Sequence, residues 1–169
     1  NKIIARHQVT NGGGSVLLYQ VENEELASVG PYADYVKKII KAAKEDGINV
    51  PIFHNDYAPV GNWAFTTKDT GLDVYSYDDY PIRFDCSATR HKLQDHNWHI
   101  DPAFRAAHHS PHFIAEAQGG AFTPWGASFN ASACEKFVDA NFYRQWAALN
   151  NGAGVTAFNY YMIFGGTNW

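Results

Sequence analysis

Two apolar runs, each ending in a glutamate, constrain this chain more than any other feature. Val16-Leu17-Leu18 leads into Tyr19-Gln20-Val21-Glu22-Asn23-Glu24 and reads as a buried strand whose exit carries two carboxylates and an amide. Phe113-Ile114-Ala115-Glu116-Ala117-Gln118-Gly119-Gly120 starts after Pro111, is apolar on both sides of Glu116, and stops at a glycine pair. A buried glutamate is unfavourable unless paired or hydrogen-bonded, so two such strand ends need a cause. One cause is a salt-bridged strand exit at the surface. The other is a shared site: in a barrel of parallel strands, active sites assemble at the C-terminal strand ends, and paired carboxyl groups there can cleave a glycosidic bond. Alternation along a regular strand sets Glu22 and Glu24 on one face and Asn23 on the other, so bringing Asn23 beside Glu24 requires a kink or bulge.

The segments between these runs alternate in kind. Lys2-Ile3-Ile4-Ala5 reads as the end of a helix and Thr10-Asn11-Gly12-Gly13-Gly14 as a turn. Tyr32, Tyr35, Val36, Ile39, Ile40 and Ala43 fall at helical spacing with lysines opposite and Gly47 as the stop. Val50 to Phe53 reads as a strand with a polar exit at His54-Asn55-Asp56, and Leu72 to Tyr77 as another with its exit at Asp78-Asp79-Tyr80-Pro81. Residues 58 to 71 read as loop, and one helix is expected near Asp101 to His108. Ser132 to Glu135 fits a capping box before a helix that carries Val138, Phe142, Gln145, Trp146 and Leu149 and closes at Gly152. Val155 to Phe164 is the last strand. Five strands alternating with helices favour an α/β fold with a parallel sheet.

Here the residues carry a resemblance. Gln20 to Glu24, Glu116 to Gly120 followed by Pro124-Trp125-Gly126, and Asn159 to Trp169 resemble the signatures of glycoside hydrolase family 35. Tyr77 to Pro81 and Phe84-Asp85-Cys86 are similar to its large secreted, fungal-type members. The resemblance runs from one end of the chain to the other, in order. It implies a retaining β-galactosidase on a TIM (β/α)8 barrel, acting on lactose, galactan or another β-galactoside. By resemblance Glu24 is the general acid and later base, Glu116 the nucleophile, and Asn23 the donor to the sugar 2-hydroxyl. Tyr80 and Tyr161 match tyrosines that line the galactose pocket, although aromatic packing at strand ends also accounts for them. Secreted relatives pair cysteines that match Cys86 and Cys134, where two buried free thiols are the alternative. The sequon Asn130-Ala131-Ser132 fits glycosylation on the same extracellular route. Two departures stand out: Glu25-Leu26 replaces the usual Tyr-Gly, and Thr123 replaces an Asp before Pro-Trp-Gly.

Composition excludes more than it selects. A net charge of -4 without a Lys/Arg cluster argues against nucleic acid or an anionic membrane as partner. No stretch reaches the roughly 20 apolar residues of a membrane span. Aromatic residues make up 15%, which suits sugar stacking and core packing alike. The eight histidines, His91, His96 and His99 or His108, His109 and His112 among them, match no zinc spacing, so neither metal nor cofactor is expected. A complete barrel takes about 250 residues. The expectation is therefore that residues 1–169 form a partial catalytic domain, about strands 4 to 8, with the rest of the same polypeptide as partner. An exo-β-glycosidase on another sugar, such as a glucosaminide, and a catalytically inactive carbohydrate-binding barrel are the alternatives.

Overall fold

The computed structural model describes residues 1–26, 28–82, 107–120 and 138–163, without the side chains of residues 67 and 68. In chain order it contains α1 (Lys2–Ala5), a 3-10 turn (Val9–Asn11), β1 (Tyr19–Asn23), α2 (Pro31–Glu45), β2 (Ile52–Asp56) and α3 (Thr67–Thr70). It continues with β3 (Val74–Asp79), β4 (Phe113–Gln118), α4 (Ala140–Gly152) and β5 (Ala157–Tyr161). The five strands are all parallel, pair in chain order, and form a curled sheet, half of a barrel.

The two faces of the sheet bury different things. Outward-facing Ile52, Tyr75, Tyr77, Ile114 and Ala117 pack with Val36, Ile40 and Ala43 of α2 and with Phe142 and Trp146 of α4. Phe53, Val74, Phe113 and Ala115, with Leu18 and Ala157, fill the inner face as a smaller apolar cluster. Beyond that inner cluster, toward the C-terminal strand ends, the inner face turns polar. Helix α2 begins with Pro31 at its first turn and is followed by Gly47 at φ 95°, a left-handed conformation that glycine adopts without side-chain strain. Helix α4 is capped by Asp139, whose Oδ1 accepts from the amides of Asn141 at 3.0 Å and Phe142 at 2.9 Å. Ser132 and Glu135 of the expected capping box lie outside the described residues.

Three expectations need correction. Val16-Leu17-Leu18 is not a buried strand: Val16 pairs with the N-terminal segment at Gln8, Leu17 is exposed, and β1 starts at Tyr19. The Val16 amide donates to the carbonyl of His7 at 2.9 Å, so this backbone is engaged before the sheet begins. His54-Asn55-Asp56 and Asp78-Asp79 are not exits beyond their strands but paired, buried parts of β2 and β3. Tyr32 and Tyr35 lie on the exposed side of α2, and Ala33 takes the buried place.

Candidate active site

The glutamates reach the inner face because two strands break their alternation. Between β1 and β2 the register runs Gln20↔Phe53 and then Asn23↔Asn55, so β1 spends three residues where β2 spends two. This bulge supplies the kink that Asn23 requires, and Glu24 follows it at φ 55°, a left-handed backbone seldom taken by a residue with a side chain. The Glu24 amide donates to the Asn55 carbonyl at 2.8 Å, which fixes the turn. Strand β4 carries a second bulge: it pairs Ile114 with Tyr77 and then Glu116 with Asp78, and one extra residue, Ala115, also separates its pairings with β5. Ala115 packs in the inner cluster, and Glu116 follows it to the same side.

One carboxyl oxygen each of Glu24, Asp78 and Glu116 lies within 4.8 Å of the other two. Glu116 is well supplied with donors: Asn55 Nδ2 stands 3.0 Å from Oε1, and the Tyr80 phenol donates to Oε2. Asn55 Nδ2 also lies 3.0 Å from Oδ1 of Asn23, which accepts from Gln20 Nε2 at 2.9 Å as well. Tyr80 is held by the turn behind it, where the Ile82 amide donates to Gln118 Oε1 at 3.0 Å. Burial first, and then its bond to Glu116, push the Tyr80 phenol far up, so it stays a neutral donor. Tyr161, exposed at the end of β5, is close enough for its phenol to act on that of Tyr80.

Asp78 differs from its neighbours. It is 3% exposed, and among the described residues neither oxygen has a hydrogen-bond partner. Burial pushes its carboxyl up to about 9, helped by the neighbouring carboxyl groups of Glu24 and Glu116, while the nearby Asn55 amide opposes the rise. Glu22 turns away from this cluster. Its Oε2 accepts from Tyr35 of α2 at 2.7 Å and its Oε1 from the Asn23 amide at 2.8 Å, so its side-chain support comes from a helix. Burial raises the Glu22 carboxyl, but those two donors outweigh it and leave the group below its ordinary value.

A second layer steadies the bulged end of β1. Trp63, fully buried, donates from Nε1 to the Glu25 carbonyl, and Asn62 donates to that of Leu26. Asp56 anchors this loop by accepting from the amides of Trp63 at 3.0 Å and Tyr57 at 3.1 Å. Any Cβ at Gly61 would meet the Asp56 carboxyl at 2.2 Å. Burial pushes Asp56 up to about 6 against those donors.

The structure thus brings Glu24, Glu116, Asn23 and Tyr80 together, with Tyr161 beside them. Cys86, Cys134, Asn130 and the Pro124-Trp125-Gly126 segment lie outside the described residues. Sequence reasoning missed Asn55 and Asp78 as members of the cluster. The signal was present in the polar ends of β2 and β3, but nothing local says which of His54, Asn55, Asp56, Asp78 and Asp79 faces inward. Three clustered carboxylates also form an oxygen donor set of the kind that holds hard divalent cations. No helix among the described residues is long and apolar enough to cross a membrane.

Comparison with known proteins adds the following. The family model described as glycosyl hydrolases family 35 matches residues 1–169. Beta-galactosidase A of Aspergillus oryzae is 36% identical over 179 residues, spanning 98% of this chain and 17% of the relative. A beta-galactosidase of Aspergillus niger is 34% identical over 176 residues, with the same coverage of 98% and 17%. The chain therefore spans about 17% of the length of the curated relatives it matches. Among solved structures, the beta-D-glucuronidase of Dictyoglomus thermophilum superposes with a TM-score of 0.59 at 15% identity, over 87% of this chain and 25% of that one. A beta-glucuronidase of Faecalibacterium prausnitzii gives 0.59 at 18% identity, over 86% and 24%. At these identities the likeness is one of fold.

Proposed function

This chain belongs to the glycosyl hydrolases of family 35, and from that premise we propose that it supplies the acid and the nucleophile of a retaining exo-β-galactosidase. The observation that carries the reading is the approach of Glu24 and Glu116 at the C-terminal ends of parallel strands, oxygen to oxygen within 4.8 Å. Retaining enzymes hold their two carboxyl groups about 5 to 5.5 Å apart, inverting ones about 6.5 to 9.5 Å, and this pair sits with the shorter spacing.

Glu116 attacks the anomeric carbon of a terminal, non-reducing β-D-galactose. As the glycosidic bond breaks, Glu24 gives its proton to the departing oxygen. The anionic nucleophile becomes a neutral galactosyl ester. Glu24, now a carboxylate, takes a proton from water, whose oxygen displaces Glu116 and leaves the product with its original anomeric configuration. Tyr80 and Asn55 aim the attacking oxygens, and Asn23 donates to the 2-hydroxyl, a bond that strengthens as positive charge grows on the ring. Tyr161 flanks the sugar.

The sheet corresponds in this reading to about strands 4 to 8 of a TIM (β/α)8 barrel, a partial catalytic domain completed by the rest of the same polypeptide. That remainder would carry the contacts that recognise the axial 4-hydroxyl. Secretion, a Cys86–Cys134 disulfide and glycosylation at Asn130 belong to the same reading, through the likeness to fungal relatives.

The deciding experiment replaces Glu116 with Gly in the full-length polypeptide and adds azide to a nitrophenyl β-galactoside. Recovered turnover with an α-galactosyl azide product identifies Glu116 as the nucleophile. Substantial hydrolysis without azide would sink the assignment, and binding without any turnover by the unaltered protein would favour a carbohydrate-binding barrel.

A further inference from the structure

Glu24 has the least ordinary backbone in the site. It stands at φ 55° directly after a bulge, and a residue with a side chain keeps that conformation only where its surroundings over-determine it. Hydrogen bonds grip it from both sides. Its own amide donates to the Asn55 carbonyl at 2.8 Å. The next two carbonyls are taken in turn, that of Glu25 by Nε1 of Trp63 and that of Leu26 by the side-chain amide of Asn62. Every partner in this grip comes from β2 or from the loop behind it.

The direction of control follows from burial. Asp56, the last residue of β2, closes the loop by accepting from the amides of Tyr57 at 3.1 Å and Trp63 at 3.0 Å. Trp63 is fully buried in the outer core, with its ring 4.7 Å from that of His54, so packing fixes its place. Glu24 and Leu26 are exposed, so their own packing fixes little. A buried indole N–H can only donate, and here it donates to the chain one residue past the acid. Glu116 needs no such brace, because it lies inside β4 with a strand on either side.

We propose that Trp63, with Asn62 beside it, is a positioning residue for the acid-base half of the reaction. The inference rests on Glu24 being the acid and base. Trp63 acts through the Glu25 carbonyl: it sets where the Glu24 carboxyl stands relative to the departing oxygen and leaves the nucleophile untouched.

The test turns on the leaving group, in the full-length polypeptide. A dinitrophenolate departs without a proton, whereas a poorer leaving group such as phenol needs the acid. Trp63→Phe keeps an aromatic ring and loses the donor. It should lower kcat/KM about 30-fold on phenyl β-galactoside and less than about threefold on the dinitrophenyl galactoside. Azide attacks the galactosyl ester without help from a base, so it should restore kcat on the dinitrophenyl substrate and yield β-galactosyl azide. Asn62→Ala should give the same kind of split, about fivefold on the phenyl substrate. Equal losses on both substrates would overturn the proposal, because a bond that only holds the fold together does not distinguish leaving groups. A loss below about threefold on both would overturn it too. If Trp63→Phe does not fold, the exposed Asn62 decides by the same ratio. Glu24→Ala is the reference. If it shows the split and the loop variants do not, the brace falls and Glu24 stands; if it shows none, the acid assignment falls and this inference with it.

Discussion

The side-chain nitrogen of Asn55 stands 3.0 Å from Oε1 of Glu116, reaching from β2 to β4 across the strand that separates them. This bond, with the Tyr80 phenol on the other oxygen, leaves the Glu116 carboxylate little freedom to rotate. Asn55→Ala should therefore lower kcat on a nitrophenyl galactoside about 100-fold, the scale on which small misplacement of a reacting group acts. A loss below about threefold, with folding intact by circular dichroism, would show that the bond does not aim the nucleophile.

Asn23→Ala should discriminate between substrates. On a galactoside it should reduce kcat/KM about 100-fold, while a 2-deoxygalactoside, lacking the hydroxyl, should lose under about threefold. Equal losses on both would remove Asn23 from the 2-hydroxyl.

Asp56 makes stability depend on pH. Its carboxyl, raised from 3.8 to about 6 by burial, holds between those two values a proton in the folded state that the unfolded chain has already released. The contribution is fully present below the unfolded value and is lost as pH rises through about 6. Relative to Asp56→Asn, the unaltered protein should gain about 1 kcal/mol between pH 8 and pH 5. Paired denaturation curves at the two pH values measure this, and a constant difference between the variants would contradict it.

Gln8 makes four hydrogen bonds from a fully buried side chain. Its amide donates to the carbonyls of Ala5 and Gly47, both at 2.9 Å, and its oxygen accepts from the amides of Asn49 at 2.7 Å and Val50 at 3.1 Å. Gln8→Leu leaves the Val50 amide buried without this partner and strips a bond from the more exposed Gly47 carbonyl and Asn49 amide, and should cost about 2 kcal/mol in a denaturant titration. A cost under about 0.5 kcal/mol would mean that water replaces the amide.

Among the described residues, β1 and β5 each have one side without a strand partner. Residues 1–169 expressed alone should associate or precipitate, because such edges offer unpaired backbone groups to other chains. Light scattering that shows a monomer with one cooperative melting transition would count against the partial-domain reading.

The parallel α/β order, the α2 helix and the meeting of Glu24 with Glu116 were legible because periodicity and strand-end polarity are local signals. Other features were not. The Val16-Leu17-Leu18 run has a strand's composition, but the partner of Val16 is the segment around Gln8, which no pattern along the sequence announces. Asp139 lies close to an attractive Ser-x-x-Glu capping box, and side-chain chemistry alone does not choose between them. Asn55 escaped notice for the same kind of reason. His54, Asn55 and Asp56 are all polar and all buried, and only the pairing of β2 with its neighbours decides that Asn55 joins the cluster while Asp56 serves a loop.

The extra residue in β4 has a consequence for how such a site can change. If β4 kept Ala115 but ran without the bulge, regular alternation would swing Glu116 toward Phe142 and Trp146, among oily groups with no route to a sugar. Such a slip would abolish the chemistry while sparing the whole hydrophobic inventory, whereas loss of Ala115 itself would leave Glu116 opposite Asp78 on the inner face. Point substitutions around the pocket adjust the reaction by degrees; the reading frame of this strand sets whether there is a reaction to adjust.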